Sequence, residues 1–460
     1  MSAWEVWGLV VQYLGNVLSV VLILAILSGR KEARATLGWV ILVVFLPYFG
    51  AVAYLVFGRR MPIHLPPEPS DTPVCPLPPE GLSEPMERTA KLTSLAPARC
   101  RRLELLPDAS EKYRRLVADI AAAKERVYLC YYVFRRDRSG RRLLEALAQQ
   151  AAKGVDVRLL YDGWGAFGLE LPGFLAPYRR QGVQARAFHP VTDPLQMSRI
   201  NFRNHRKIAV IDGAVGYTGS TNVGDEYLGL NPRFGPWKDV HLRLEGAAAG
   251  ALEQVFREDW RIATGEALAP TPTPADPGDT WVQVIPSGPN QRHDNLLPLL
   301  FAQFAAARET LDLLTPYLVP DYGLVAALRI AARQGVRVRI IVPGKSNHPM
   351  VAAAGRSYYD ELLEGGVELY ETRRGMLHAK GVLVDGRWAM VGSANLDNRS
   401  FHLNFELNLA TSDPSFCGAL GHLVDTWLGE AVPVTAEELG RRSLPRRLLE
   451  GACRTLSPVL

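Results

Sequence analysis

His205-Arg206-Lys207-Ile208-Ala209-Val210-Ile211-Asp212 is followed, after six residues, by Gly219-Ser220-Thr221-Asn222. The phrase returns as His378-Ala379-Lys380-Gly381-Val382-Leu383-Val384-Asp385, again six residues before Gly392-Ser393-Ala394-Asn395. Both copies read H-x-K-x4-D-x6-G-S-x-N without a gap. One H-x-K-x4-D is a weak signal, because three residues at fixed spacing arise by chance and a polar edge strand accounts for them. Two extended copies in one chain point to a duplicated unit and to a site that needs two of each group.

Each copy reads as a strand. Side chains at i and i+2 share a face, so His205 and Lys207 point together, as do His378 and Lys380. Asp212 and Asp385 fall at the other parity, and Asp212-Gly213 and Asp385-Gly386 are favoured hairpin turn pairs. The aspartates are therefore expected to support the site rather than to react. Residues 215–217 and 388–391 return as second strands. They deliver Ser220 and Asn222, or Ser393 and Asn395, to the same end as candidate substrate ligands.

Two imidazoles, two ammonium groups and two carboxamides, with no cluster of metal-binding carboxylates, suit attack on a phosphodiester. One histidine serves as nucleophile and forms a phosphohistidine; the other protonates the leaving alkoxide. Lys207, Lys380, Asn222 and Asn395 stabilise charge on the non-bridging oxygens, a role a metal often fills elsewhere. Each histidine needs an orienting partner. Asp239, in Trp237-Lys238-Asp239-Val240-His241, and Glu406, in Asn404-Phe405-Glu406-Leu407-Asn408, occupy comparable places after each motif and are the candidates for that task.

Outward from the motifs, the flanking sequence repeats as well. Ala123-Lys124-Glu125-Arg126-Val127 is echoed by Ala307-Arg308-Glu309-Thr310-Leu311, and Gly182-Val183 by Gly366-Val367, at offsets of 173 to 184 residues. Helical stretches at 109–124 and 141–153 alternate with strands at 127–134 and 155–161. This pattern predicts an α/β fold of two duplicated halves, each a mixed sheet flanked by helices, packed as a pseudo-dimer. The first half is expected over 101–268 and the second over 281–460. A proline-rich linker is expected over 61–100, and another over 269–280.

Ahead of this lie two uncharged runs, Val6 to Leu27 and Thr36 to Gly58, of 22 and 23 residues. At 1.5 Å per residue each reaches roughly 33 Å, enough to cross a bilayer core. The region 1–60 is thus expected to be a two-helix transmembrane hairpin. Met1-Ser2-Ala3-Trp4-Glu5 lacks the basic residues of a signal peptide. Arg30, Lys31 and Arg34 in the connecting loop nearly balance Arg59 and Arg60 beyond the second run, so charge counting leaves the orientation open.

Composition excludes little. The 460 residues are 48% hydrophobic and 22% charged, with net charge +5, values of a globular chain compatible with an anionic surface. Five scattered cysteines form no disulfide framework or zinc motif. The stretch Arg441-Arg442-Ser443-Leu444-Pro445-Arg446-Arg447-Leu448-Leu449 mixes basic and apolar residues, as membrane-surface helices and solvated helix ends both do.

The duplicated His-Lys-Asp motif resembles that of the phospholipase D superfamily. Arg203-Asn204-His205-Arg206-Lys207, Gly224-Asp225-Glu226-Tyr227-Leu228-Gly229, Thr315-Pro316-Tyr317, Arg399-Ser400-Phe401 and the N-terminal Pro47-Tyr48-Phe49-Gly50 narrow the likeness to the bacterial cardiolipin synthases. The resemblance implies two phospholipase D-like halves and a phosphatidyltransferase that converts two phosphatidylglycerol molecules into cardiolipin and glycerol. It implies His205 as nucleophile, His378 as acid and base, and Asp212 and Asp385 as members of the catalytic set. No metal or organic cofactor is implied. The partners implied are phosphatidylglycerol, other anionic phospholipids and the bilayer, with no nucleic acid; the oligomeric state is left open. The implied location is the bacterial inner membrane, multi-pass, with the catalytic halves on the cytoplasmic side. The competing reading is a phospholipase D-type hydrolase with water as acceptor. A nuclease and an inactive membrane scaffold are further alternatives.

Overall fold

The computed structural model describes residues 2–29, 33–58, 79–193, 199–233, 235–272, 278–291 and 296–457. They divide into an N-terminal unit built on the helices of residues 3–58 and a larger unit that carries both sheets.

In the N-terminal unit, Ala3–Ser28 is one helix of 26 residues, and it alone among the described helices is long and apolar enough to cross a membrane. Its start is fixed by a capping box between Ser2 and Glu5. The second apolar run departs from the expected single span. It forms Ala33–Phe45, breaks at Leu46, resumes as Pro47–Ala53 and ends in a π-turn, Tyr54–Gly58. The cause is Pro47, which lacks an N–H and drives the residue before it out of the helical region; Leu46 sits at φ −133°, ψ 68°. The two arms still meet, with Leu22, Ile26, Val43, Ala51 and Tyr54 buried together and the Ser19 hydroxyl donating to Val43 O at 2.9 Å.

The larger unit contains two sheets of the same strand order. In the first, Arg102–Leu106, His241–Glu245, Val215–Gly219, Lys207–Ile211, Arg126–Tyr131, Asp156–Asp162 and Gln184–Phe188 lie side by side. In the second, Thr280–Ser287, Glu406–Thr411, Trp388–Gly392, Gly381–Val384, Thr310–Leu314, Arg337–Pro343 and Glu368–Thr372 repeat that order, with a short strand added at each edge. The last three strands of each set run parallel to one another, and the others are antiparallel. Valines, leucines and isoleucines on these strands are buried on both faces, as covered parallel strands require. Helix Ala247–Thr264 packs on the first sheet and reaches Thr280–Ser287 of the second. Helix Pro414–Gly429 does the reverse, packing on the second sheet and touching Arg102–Leu106.

The expected linker over 61–100 needs correction at its C-terminal end. Residues 61–78 lie outside the described residues, but Glu84–Leu92 is a helix and Ala98–Cys100 a strand. Met86 and Ala90 are buried in the core of the second half, the Trp388 indole donates to the Thr89 hydroxyl at 3.0 Å, and Ala98–Cys100 pairs with Thr280–Ser287. Spaced apolar residues behind the proline run thus build structure: the chain adds a strand to the second sheet before entering the first. Of the second expected linker, 273–277 lie outside the described residues; Thr271 is tied to Glu253, and Thr280 opens a strand.

Candidate active site

The two motif strands turn at Asp212-Gly213 and Asp385-Gly386, where all four residues have positive φ, from 50° to 64°. Ala214 N–H donates to Ile211 O and Arg387 N–H to Val384 O, so both are turns of the twisted kind that suits hairpins. The Asp212 carboxylate accepts the backbone N–H groups of Lys124, Glu125 and Arg126 at 2.8–2.9 Å. Asp385 accepts those of Arg308, Glu309 and Thr310 at 2.7–3.2 Å. The echo between residues 123–127 and 307–311 is therefore the echo of one carboxylate clamp. Counting these aspartates as catalytic needs correction. They follow the far ends of the strands, about 16 Å of extended chain from the lysines, and pin the hairpin to its neighbour.

The other ends carry the imidazoles. His205 N–H donates to Phe405 O at 2.9 Å, and Phe405 N–H to Arg203 O at 2.9 Å. In the mirror arrangement His378 N–H donates to Lys238 O at 2.7 Å, beside the short parallel pairing of Met376–Leu377 with Trp237–Lys238. Each histidine is thus stitched by backbone to the other half, one residue before that half's carboxylate. The carboxylates consequently cross over: His205 Nδ1 lies 2.9 Å from Glu406, and His378 Nδ1 lies 2.9 Å from Asp239. Sequence reading selected the two acids but did not assign this exchange.

Ser220 and Ser393 do not stand where a substrate ligand would. They are fully buried, and their hydroxyls donate to Asp239 and Glu406 of their own halves. The glycines before them allow this close packing. A Cβ on Gly219 would come within 2.7 Å of His241 Cα, and one on Gly392 within 2.5 Å of Asn408 Cα. Asn222 accepts the Val133 N–H at 3.1 Å and donates to the Tyr227 hydroxyl; Asn395 donates to Asp397 at 3.0 Å. Three groups escaped the sequence reading: Ser400 and Asn404, which also donate to Glu406, and the Trp237 indole, which donates to Asp239. All three lie within stretches that the sequence already singles out.

Lys207 and Lys380 are buried beside the imidazoles, and each ammonium donates to the carbonyl of its own histidine, at 2.5 and 2.6 Å. The halves differ at one point. Lys380 Nζ lies 2.9 Å from His378 Nε2, whereas among the described residues no group engages His205 Nε2. Burial, reinforced by the lysines, pushes His205 down to about 4 and His378 down to about 3. Burial also brings Lys207 down to about 8 and Lys380 well below the ordinary lysine value. Glu406, though burial opposes it, is held below the usual carboxylate range by His205, and Asp239 likewise by His378. At neutral pH the imidazoles are thus neutral, with Nδ1–H donated to a carboxylate and Nε2 directed to the site. Arg206 is a strut rather than a ligand: fully buried, it binds Asp259 at 2.5 Å and the carbonyls of Glu406 and Ser287 in the other half.

Residues 116–260 and 300–425 match the family described as "Cardiolipin synthase, PLD-like domain", and residues 17–59 match "Phospholipase_D-nuclease N-terminal". The chain is 37% identical to "Cardiolipin synthase 2" of Bacillus cereus, over 94% of this chain and 88% of that one. It is 36% identical to "Cardiolipin synthase" of Geobacillus kaustophilus, over 94% and 90%. Phosphatidylserine synthase of Haemophilus influenzae shares the fold, with TM-score 0.63 at 17% identity over 82% of this chain and all of that one. With both halves and the N-terminal segment matched, the chain belongs to the phospholipase D-like cardiolipin synthase family.

Proposed function

We propose that the protein is a membrane phosphatidyltransferase that makes cardiolipin and glycerol from two phosphatidylglycerol molecules. The observation that carries the reading is the crossed pair of imidazole–carboxylate contacts, His205–Glu406 and His378–Asp239, which gives one site two oriented histidines and two lysines. His205 Nε2, which has no partner among the described residues, attacks the phosphorus of the first lipid, forming the P–N bond as the P–O bond to glycerol breaks. The leaving alkoxide takes its proton from Nε2 of His378, where Lys380 lies 2.9 Å away as a proton source. The bound phosphodiester anion itself favours protonated His378. Neutral His378 then removes the proton from a hydroxyl of the second phosphatidylglycerol. That oxygen attacks phosphorus, the P–N bond breaks, and His205 is regenerated. Lys207 and Lys380 stabilise the charge that builds on the non-bridging oxygens; Asn222 and Asn395 are the further candidates for this contact.

The helix Ala3–Ser28 anchors the enzyme in the bilayer that holds both substrates. The broken second arm is proposed to complete a two-pass hairpin, which leaves the N-terminus and the catalytic halves on one side, assigned here to the cytoplasm. Four buried free thiols, Cys100, Cys130, Cys417 and Cys453, suit that reducing compartment. The test is incubation of the purified full chain with phosphatidylglycerol vesicles and mass spectrometry of the products. Cardiolipin with an equal yield of glycerol supports the reading. Phosphatidic acid as the main product assigns a water-using hydrolase instead, and neither product overturns both.

A further inference from the structure

The C-terminal helix Leu444–Thr455 is mounted the wrong way round for a soluble surface. Successive residues step about 100° around a helix axis, which gathers Leu444, Leu448, Leu449 and Leu456 into one sector of about 140°. A surface helix ordinarily buries such a stripe. Here Leu444, Leu448 and Leu449 are 67%, 64% and 60% exposed, while the buried residues are Glu450 and Cys453. The charged side faces inward. Glu450 receives Arg442 at 2.7 Å and Arg446 at 3.1 Å, and Arg454 reaches Glu361 at 3.2 Å. Arg447 borders the leucine sector and pairs with no acid among the described residues.

The helix sits at a particular edge of the second sheet. It packs on helix Pro349–Arg356, which follows the carboxyl end of strand Arg337–Pro343. That end is the catalytic edge, since Leu314 pairs with Ile341 on one side and with Gly381, next to Lys380, on the other. Ser457, just past the helix, accepts a hydrogen bond from Asn398, three residues after Asn395. The first half has an apolar projection at its corresponding edge. The loop after strand Asp156–Asp162 exposes Trp164 and Phe167, and Tyr161 lies in register with Tyr131, which pairs with Lys207.

We propose that the helix Leu444–Thr455 is a membrane-surface seat. Its leucines lie in the acyl boundary of an anionic bilayer, Arg447 meets the lipid phosphates, and Trp164 and Phe167 make a second contact. The catalytic edge is thereby held against the surface from which lipid headgroups enter. Apolar side chains bordered by arginines at headgroup depth are the chemistry of an interfacial helix on anionic lipid. The proposal rests on the lipid substrate assigned above.

The test uses the full chain reconstituted in phosphatidylglycerol-rich bilayers, in a Cys75→Ser background, with an environment-sensitive fluorophore on Leu448→Cys. A control label goes on Gln181→Cys, before the amino end of strand Gln184–Phe188 and hence at the opposite edge of its sheet. Nitroxide lipids are expected to quench the label at 448 and not the one at 181, and less so in phosphatidylcholine alone. A label at 448 as exposed to water as the control overturns the proposal. So does protection that depends on protein concentration in detergent without bilayers, which assigns the face to a second copy. In parallel, the triple variant Leu444→Glu, Leu448→Glu, Leu449→Glu is expected to lose about tenfold in transfer on vesicle substrate and nothing on substrate dispersed in detergent micelles. Equal loss in both formats overturns the seat. Absence of product from the unaltered enzyme in both formats sinks the lipid-transfer reading, while the quenching result still decides whether the helix docks.

Discussion

Glu406 holds His205 from the opposite half of the molecule, 2.9 Å from Nδ1, across 201 positions of sequence. The carbonyl of Phe405, one residue earlier, accepts the His205 N–H, so a single backbone contact fixes where the carboxylate falls. Glu406→Gln keeps the shape but removes the charge that stabilises the imidazolium and selects the Nε2 lone pair. A loss of about 10²–10⁴-fold in kcat is expected, with substrate KM little changed. Ser393→Ala removes one donor to Glu406 and is expected to cost about tenfold or more, since a hydrogen bond to a charged group is worth about 1.5–3 kcal/mol. Steady-state rates of both variants on phosphatidylglycerol vesicles check the ranking.

The two histidines are distinguished by what their Nε2 atoms meet. If His378 is the acid, its loss is tolerated when the leaving group needs no proton. In the first turnover, before His378 is needed as base, His378→Ala is expected to release p-nitrophenol from a phosphatidyl ester at most of the wild-type rate, whereas His205→Ala stays inactive on both substrates. Release of p-nitrophenol gives the answer directly. Recovery by His205→Ala instead would exchange the two roles.

Activity should be flat across a broad neutral range. His205 is pushed down to about 4, so the nucleophile is already neutral well below pH 6. Lys207 is brought down to about 8, so charge stabilisation fades above that pH. The kcat/KM profile is expected to fall on the acid side near 4 and on the alkaline side near 8. In Lys207→Arg, whose guanidinium stays charged, the alkaline limb should move upward among whatever molecules remain active. An acid limb near 6.5, the ordinary histidine value, would mean that burial does not govern His205.

What was legible in the sequence and what was not divide on physical lines. Strand periodicity and the Asp-Gly pairs are local, so the hairpins at Asp212 and Asp385 and the supporting role of their carboxylates could be read directly. The break at Leu46 was also local, since Pro47 forbids a continuous helix, but the length of the apolar run masked it. The exchange of Asp239 and Glu406 between halves was not legible, because it depends on how two sheets face each other. Ser220 and Ser393 looked like ligands because a hydroxyl beside a motif is ambiguous; their hydrogen bonds to Asp239 and Glu406, made only in the fold, mark them as struts. Residues 84–100 were hidden by the prolines before them, although Met86, Thr89 and Ala90 have the spacing of a helix face.

Asp212 offers a separation of folding from chemistry. Its carboxylate gathers three backbone N–H groups, and its φ of 50° is tolerated by Asp and Asn better than by other residues. Asp212→Ala leaves three donors without their acceptor and adds backbone strain, and is expected to cost roughly 2–4 kcal/mol. Asp212→Asn retains the backbone preference and one acceptor oxygen and should cost less. Thermal unfolding is expected to rank the three proteins, while the rate per folded molecule changes by no more than a few-fold. A collapse of kcat in well-folded Asp212→Asn would return the aspartate to the catalytic set.

Lys112 is the group whose burial lacks compensation. It is fully buried in the helix Ala109–Ala122, its Nζ finds no hydrogen-bond partner among the described residues, and the rings of Tyr113 and Tyr131, at 4.7 and 4.9 Å, face the charge, with the buried His241 also within its electrostatic reach. Desolvation by burial pushes it down to about 7 from an ordinary value of 10.5, with Asp239 acting in the opposite sense. The sign follows from proton counting: between these values the unfolded chain binds a proton that the folded chain does not, so the wild-type protein gains stability as pH rises through that window. Lys112→Met keeps the volume and removes the penalty. It is expected to be more stable than wild type by roughly 1–4 kcal/mol near neutral pH, by analogy with apolar replacement of buried charge. The gain should be full below about pH 7 and shrink towards pH 10.5. Melting temperatures of the two proteins across that range check it. A destabilised Lys112→Met, or a gain independent of pH, would mean that the ammonium is held charged by groups its surroundings do not display.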